Sequence, residues 1–104
     1  MKKIVCSFLL LLSSTLLFAE ADKGVVCLKV RGCDYMIVCT NNYYAVVEDY
    51  YDNCEEGDVL IADFKSYGFR DAYNLTRSKS VRVYIEDWEY SENSAVSKWK
   101  NKCR

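Results

Sequence analysis

The sequence predicts a mainly β domain, α+β by content. Five antiparallel strands form a small partly closed barrel of the OB-like or SH3-like sort, or a twisted sheet, with one C-terminal helix. Three observations lead there. Residues 25–50 fall into three short apolar segments, 25–31, 35–40 and 43–50, separated by Gly32-Cys33-Asp34 and by Asn41-Asn42, which is the pattern of a β-meander. Residues 59–64 and 81–88 read as two further strands, the second with clean alternation of Val81, Val83 and Ile85 against Arg82, Tyr84 and Glu86. Close to the end of the chain, Ala95, Val96, Trp99 and Cys103 recur at helical spacing.

The chain opens with Lys2 and Lys3, continues as an apolar run over 4–18 and reaches Ala19-Glu20-Ala21. This is the form of a secretory signal peptide over 1–21, and it predicts export to the periplasm or the secreted fraction. A run of about 15 apolar residues is short for a membrane span, so none is expected once the leader is removed. The remaining residues, 22–104, are 83 in number and carry 12 basic against 14 acidic side chains, which suits one small domain and argues against a nucleic-acid partner. A domain this short has a limited core, and an oxidising compartment lets disulfides support it. Five cysteines are left for the purpose: Cys27, Cys33, Cys39, Cys54 and Cys103. With no histidine and no C-x-x-C, neither a zinc site, a Cys-His nucleophile nor a thioredoxin-like motif can be assembled. No metal and no cofactor are expected.

Within the meander, Asn41-Asn42 suits a two-residue hairpin turn, which sets Thr40 opposite Tyr43, Val38 opposite Ala45 and Met36 opposite Val47. Gly32 suits the looser first turn, and the register then places Val30 against Met36, Leu28 against Val38 and Val26 against Thr40. One face collects Val26, Leu28, Val30, Met36, Val38, Ala45 and Val47 as the core. Cys27 and Cys39 face one another on the other side, at a separation a disulfide can span. That second face also carries Tyr35 and Tyr44 beside Lys29 and Arg31. These four make a mixed aromatic and basic patch, expected to be open as a ligand-binding surface while the helix packs elsewhere.

After the meander, residues 48–58 hold six acids and read as a solvated loop. The spacing of Asp52, Gly57, Asp58 and Asp63 loosely resembles a calcium loop, but Cys54 stands at a ligand position and the flanks are strand-like, so metal binding is not expected. Residues 65–80 read as an irregular connection in which Tyr67, Phe69 and Tyr73 fold back as a plug over the core while the charges stay wet. Asn74-Leu75-Thr76 matches a glycosylation sequon. Ser91 offers an N-cap to the final helix, Glu92 suits its first turn, and Lys98, Lys100 and Lys102 suit its C-terminal end. A helix this short must dock, and Trp99 is the anchor to do so. Cys103 is then expected to bridge to Cys54, which leaves Cys33 either as a free thiol or as the link in a disulfide-bonded dimer.

No catalytic constellation can be argued. Nine tyrosines, all beyond the leader, point instead to contact surfaces, because tyrosine gives large contact area at low entropic cost. The expected function is a non-catalytic binding module of the cell envelope or secreted fraction, with a protein or glycan as partner. The alternatives are a thiol-active or crosslinking protein that uses the odd cysteine, and a small secreted enzyme inhibitor.

Overall fold

The structure is a computed structural model that describes residues 21–103, so the expected leader lies outside the described residues apart from Ala21. Six strands, β1 (Asp22–Lys29), β2 (Tyr35–Cys39), β3 (Tyr44–Asp49), β4 (Val59–Ala62), β5 (Gly68–Asn74) and β6 (Lys79–Glu89), precede one helix, α1 (Glu92–Lys102). They close into a barrel in the order β1-β2-β3-β6-β5-β4, and every neighbouring pair is antiparallel. Three consecutive strands with β4 returning beside β1 make a Greek key, and the β5–β6 hairpin fills the gap between β4 and β3. The small mainly β barrel with a C-terminal helix is therefore present, fully closed and with one strand more than the sequence predicts.

Two features explain the differences. The β2–β3 register is the expected one, with Val38 opposite Ala45 and Met36 opposite Val47. Its turn closes through Thr40 N donating to Tyr43 O at 2.9 Å. Between β1 and β2, however, Val26 pairs with Val38 and Leu28 with Ile37, so Cys27 is the extra residue of a β-bulge. From the bulge onward the faces exchange. Leu28 joins Ile37 on the outside, Val30 is exposed, and Lys29 turns towards the buried Asp49. Turn chemistry alone carries no signal for such a bulge.

The second feature is β5. Its inward residues are the small Ala72 and the polar Asn74, both buried, while Phe69 and Tyr73 point out. Tyr67, Phe69 and Tyr73 do not plug the core; all three are exposed. The strand hides from a hydrophobicity reading because its apolar residues lie on the solvent side. Asn74 holds its tight turn to β6, accepting from Arg77 N at 3.1 Å and donating to Asp58 at 2.9 Å. Its amide is thus fully buried and engaged, and the sequon it begins is not accessible in the folded protein.

The interior is filled by Val26, Met36, Val38, Leu60, Phe64, Val83 and Ile85 with smaller residues between them. Gly24 lets β1 cross the closing barrel: a Cβ there would come within 2.4 Å of a Val38 methyl and 3.4 Å of the Phe64 ring. α1 begins at Ser91, whose hydroxyl accepts from Ser94 N at 3.3 Å, and carries Glu92 in its first turn with Lys100 and Lys102 in its last. It lies across the outer faces of β2, β3 and β6.

Candidate functional site

The helix decides which surfaces remain open. Ala95, Val96 and Trp99 pack on Ile37, Val46, Leu28, Cys39, Tyr35 and Tyr44, and Trp99 Nε1 donates to Tyr35 O at 2.9 Å. The patch that the sequence nominates for ligand binding is therefore covered and divided. Tyr35 and Tyr44 lie half-buried beneath the helix. Lys29 and Arg31 are at the lip of an open cleft of about 530 Å³ at one barrel end, with Asp34, Asp52 and Glu56. Lys98 is tied to Asp87 and Glu89, and Lys102 reaches Glu86 at 2.9 Å, so ion pairs fasten the helix from above. Tyr44→Ala is expected to lower stability by about 2 kcal/mol, short of the roughly 3–5 kcal/mol of a fully buried ring. Chemical denaturation measures it, and a change within about 0.5 kcal/mol would mean an uncovered residue.

The cleft is a structural knot. Lys29 Nζ donates to Asp49 at 2.7 Å, to Asp52 at 2.7 Å and to Cys54 O at 2.6 Å, which uses all three of its protons. Asp49 also accepts from Asn53 N and Cys54 N, which curls the acidic loop inward. Close by, Asp58 binds Asn74, Arg77 and Glu55 N. Desolvation alone would raise its carboxyl, yet these hydrogen bonds hold it below the usual carboxylate value. A lysine so committed is unavailable to a ligand.

The disulfides are Cys27–Cys39, as the sequence predicts, and Cys33–Cys103, which replaces the expected Cys54–Cys103. Trp99 docks at the start of β2, and one helical turn further on Cys103 reaches the β1–β2 loop that holds Cys33. Cys33 is thus neither free nor a dimer link. Among the described residues the unpaired cysteine is Cys54, wholly buried among core residues. Burial, reinforced by the charge of Asp49, pushes its thiol up to about 12, so it stays protonated at neutral pH. Two bridges within so small a domain fit an oxidising compartment.

Most of the large apolar side chains left exposed among the described residues are aromatic. On the outer side of β5 and β6, Phe69 and Tyr84 are cross-strand partners with ring centroids 4.9 Å apart. Tyr50 stands 5.0 Å from Phe69, and Tyr51 5.5 Å from Tyr50, each pair edge to face. The Arg82 guanidinium lies 5.2 Å from the Phe69 ring centre and pairs with Asp71 at 3.4 Å. In sequence these residues fall in three separate segments, at 50–51, 69–71 and 82–84, and only the β3–β6–β5 order brings them together.

A second aromatic group sits at the barrel end formed by the start of β1, the β2–β3 turn, the β4–β5 turn and the end of β6. Tyr43, Trp88 and Tyr90 stack edge to face in turn, and Tyr43 donates its hydroxyl to Asp22. Burial, the Asp22 hydrogen bond and the charges of Asp22 and Asp63 push the Tyr43 hydroxyl well above its ordinary value, so it stays neutral. Lys65 points its ammonium into this group. Compared with family models, curated proteins and solved structures, the chain finds no match in any of the three.

Proposed function

We propose that this chain is a small exported, non-catalytic binding module whose contact face is the open aromatic row of Tyr51, Tyr50, Phe69 and Tyr84. The observation that carries the reading is that Tyr50, Tyr51 and Phe69 remain exposed, with Tyr84 half-buried beside Phe69, while the other aromatic face of the barrel is sealed by α1. Contiguous exposed apolar surface with a polar rim, here Arg82 and Asp71, marks interaction sites more often than it decorates a monomer. Perpendicular rings offer alternating edges and faces where a sugar would need one flat platform, so the favoured partner is a protein. An inhibited enzyme would be one case of it. The paired cysteines and the leader-like start support export. The burial of Cys54 weighs against the thiol-active alternative, because an inaccessible protonated thiol is a poor nucleophile.

The test compares the oxidised protein with Phe69→Ser, immobilised and exposed to the extracellular and envelope fractions of its own source and to a glycan array. A protein retained by the parent should bind the variant at least about tenfold more weakly, because truncating a central aromatic anchor commonly costs 2 kcal/mol or more. Equal retention by both, or retention only of a glycan, would count against this reading.

A further inference from the structure

Lys65 is held in an unusual way. Its Nζ lies 4.8 Å from the ring centre of Tyr43, 4.6 Å from that of Trp88 and 5.6 Å from that of Tyr90. All three distances are within the range in which a ring quadrupole attracts a cation. The rings are steeply inclined, with 65° between Tyr43 and Trp88 and 85° between Trp88 and Tyr90, so they form the walls of a box around the charge. Among the described residues Lys65 forms no ion pair, in contrast to Lys29, Lys98 and Lys102. The acids at this end serve the box indirectly. Asp22 takes the Tyr43 hydroxyl, and Asp63 lies near enough to act on the same ring.

A primary ammonium is not the best occupant of such a box. It is compact and strongly hydrated, and it must give up hydrogen bonds to water that aromatic faces cannot replace. A trimethylammonium group spreads its charge over methyl surfaces, loses less hydration and fills the space between the rings; this is the established use of aromatic cages. Lys65 itself is on the exposed turn between β4 and β5, where its backbone N donates to Asp63 Oδ1 and Ser66 N donates to Asp63 O, each at 3.3 Å, while its ammonium forms no hydrogen bond among the described residues and its stem can swing outward.

We propose that Tyr43, Trp88 and Tyr90 form a binding site for a trimethylammonium cation, that Lys65 occupies this site in the free protein, and that the ligand displaces it. The site is at a barrel end and its geometry owes nothing to the Phe69 row, so it stands independently of the binding face proposed above. The acidic neighbours favour a bare cation over a zwitterionic phosphocholine headgroup. A tethered competitor weakens apparent affinity by the fraction of time that the box is vacant.

The experiment is a titration of tetramethylammonium chloride, read as the upfield shift of its methyl proton resonance over ring faces. It uses the oxidised protein, Lys65→Ser and Lys65→Ser/Tyr90→Ala. Tyr90 is 69% exposed, so its truncation leaves the fold intact. Lys65→Ser should bind about tenfold more tightly than the parent if the box is vacant about a tenth of the time. The double variant should lose most of that gain. The neutral carbon isostere 3,3-dimethylbutanol should not compete, and phosphocholine should compete less well than choline. Equal binding by the parent and Lys65→Ser would overturn the proposal, as would equal competition by the neutral isostere or persistence of binding without Tyr90. Phosphocholine competing better than choline would overturn the preference for a bare cation.

Discussion

Lys29→Ala should destabilise the domain by about 3–5 kcal/mol, the usual effect of removing one partner from a buried ion pair. The Asp49 side chain has no exposure and that of Lys29 only 9%. Without the ammonium, a carboxylate bound to Asn53 N and Cys54 N would stay in the interior with its charge uncompensated. Urea denaturation measures the change, and a loss below about 1 kcal/mol would contradict the buried pair. Lys29→Met/Asp49→Leu should recover only part of the loss, since it removes the uncompensated charge but leaves Asn53 N, Cys54 N and Cys54 O without their side-chain partners. The pH dependence has a definite sign. Burial lowers the Lys29 ammonium, but the hydrogen bonds and charges of Asp49 and Asp52 outweigh it, and the net shift is upward from 10.5. A raised folded value means that the contribution is fully present below the unfolded value and fades as pH rises through the folded one. The gap between parent and variant should hold through neutral pH and narrow only above 10.5.

Cys33→Ser/Cys103→Ser should be the next most damaging change, because the two cysteines are separated by 70 residues and the Cys27–Cys39 pair by 12. On the loop-entropy model the longer bridge contributes about 4 kcal/mol and the shorter about 3 kcal/mol. For a domain of this size each kcal/mol moves the melting temperature by roughly 4–8 °C. The damage should also be local. With its C-terminal tether gone, α1 keeps only Ala95, Val96, Trp99 and the surface ion pairs, so Trp99 emission should move to the red well before the barrel melts. A double variant that melts no lower than Cys27→Ser/Cys39→Ser would contradict the pairing.

How much of this could be read from the chain depends on where the decisive contacts lie. The β2–β3 register, the β6 alternation and the Ser91 cap are set by residues a few positions apart, and local chemistry specifies them. The Cys27 bulge is different, because it is a matter of how β1 pairs across the barrel, between the close approach of Gly24 to Val38 and Phe64 and the inward-turned Lys29, and no residue of the β1–β2 turn encodes it. β5 escaped for the reverse reason: its aromatics face out and Asn74 faces in, so its pattern argues for the wrong surface. Cys54 is flanked by acids and reads as a loop cysteine. Asp49 draws that loop into the core, which removes Cys54 from reach and leaves Cys103 to Cys33. The aromatic row and the caged Lys65 each join residues from several elements. No spacing within a single segment encodes them.

The account turns on which aromatic face of the barrel is open, and hydroxyl-radical footprinting read by mass spectrometry tests it directly. In the oxidised protein Tyr90, Tyr51 and Tyr67, 69%, 67% and 59% exposed, should label fastest, with Tyr50 and Phe69 following. Tyr35, Tyr44 and Trp99 should label slowly and gain reactivity once the Cys33–Cys103 bridge is reduced. If Tyr35 and Tyr44 label as fast as Tyr67 while the disulfides are intact, the helix does not cover the meander and the proposed binding face is misplaced.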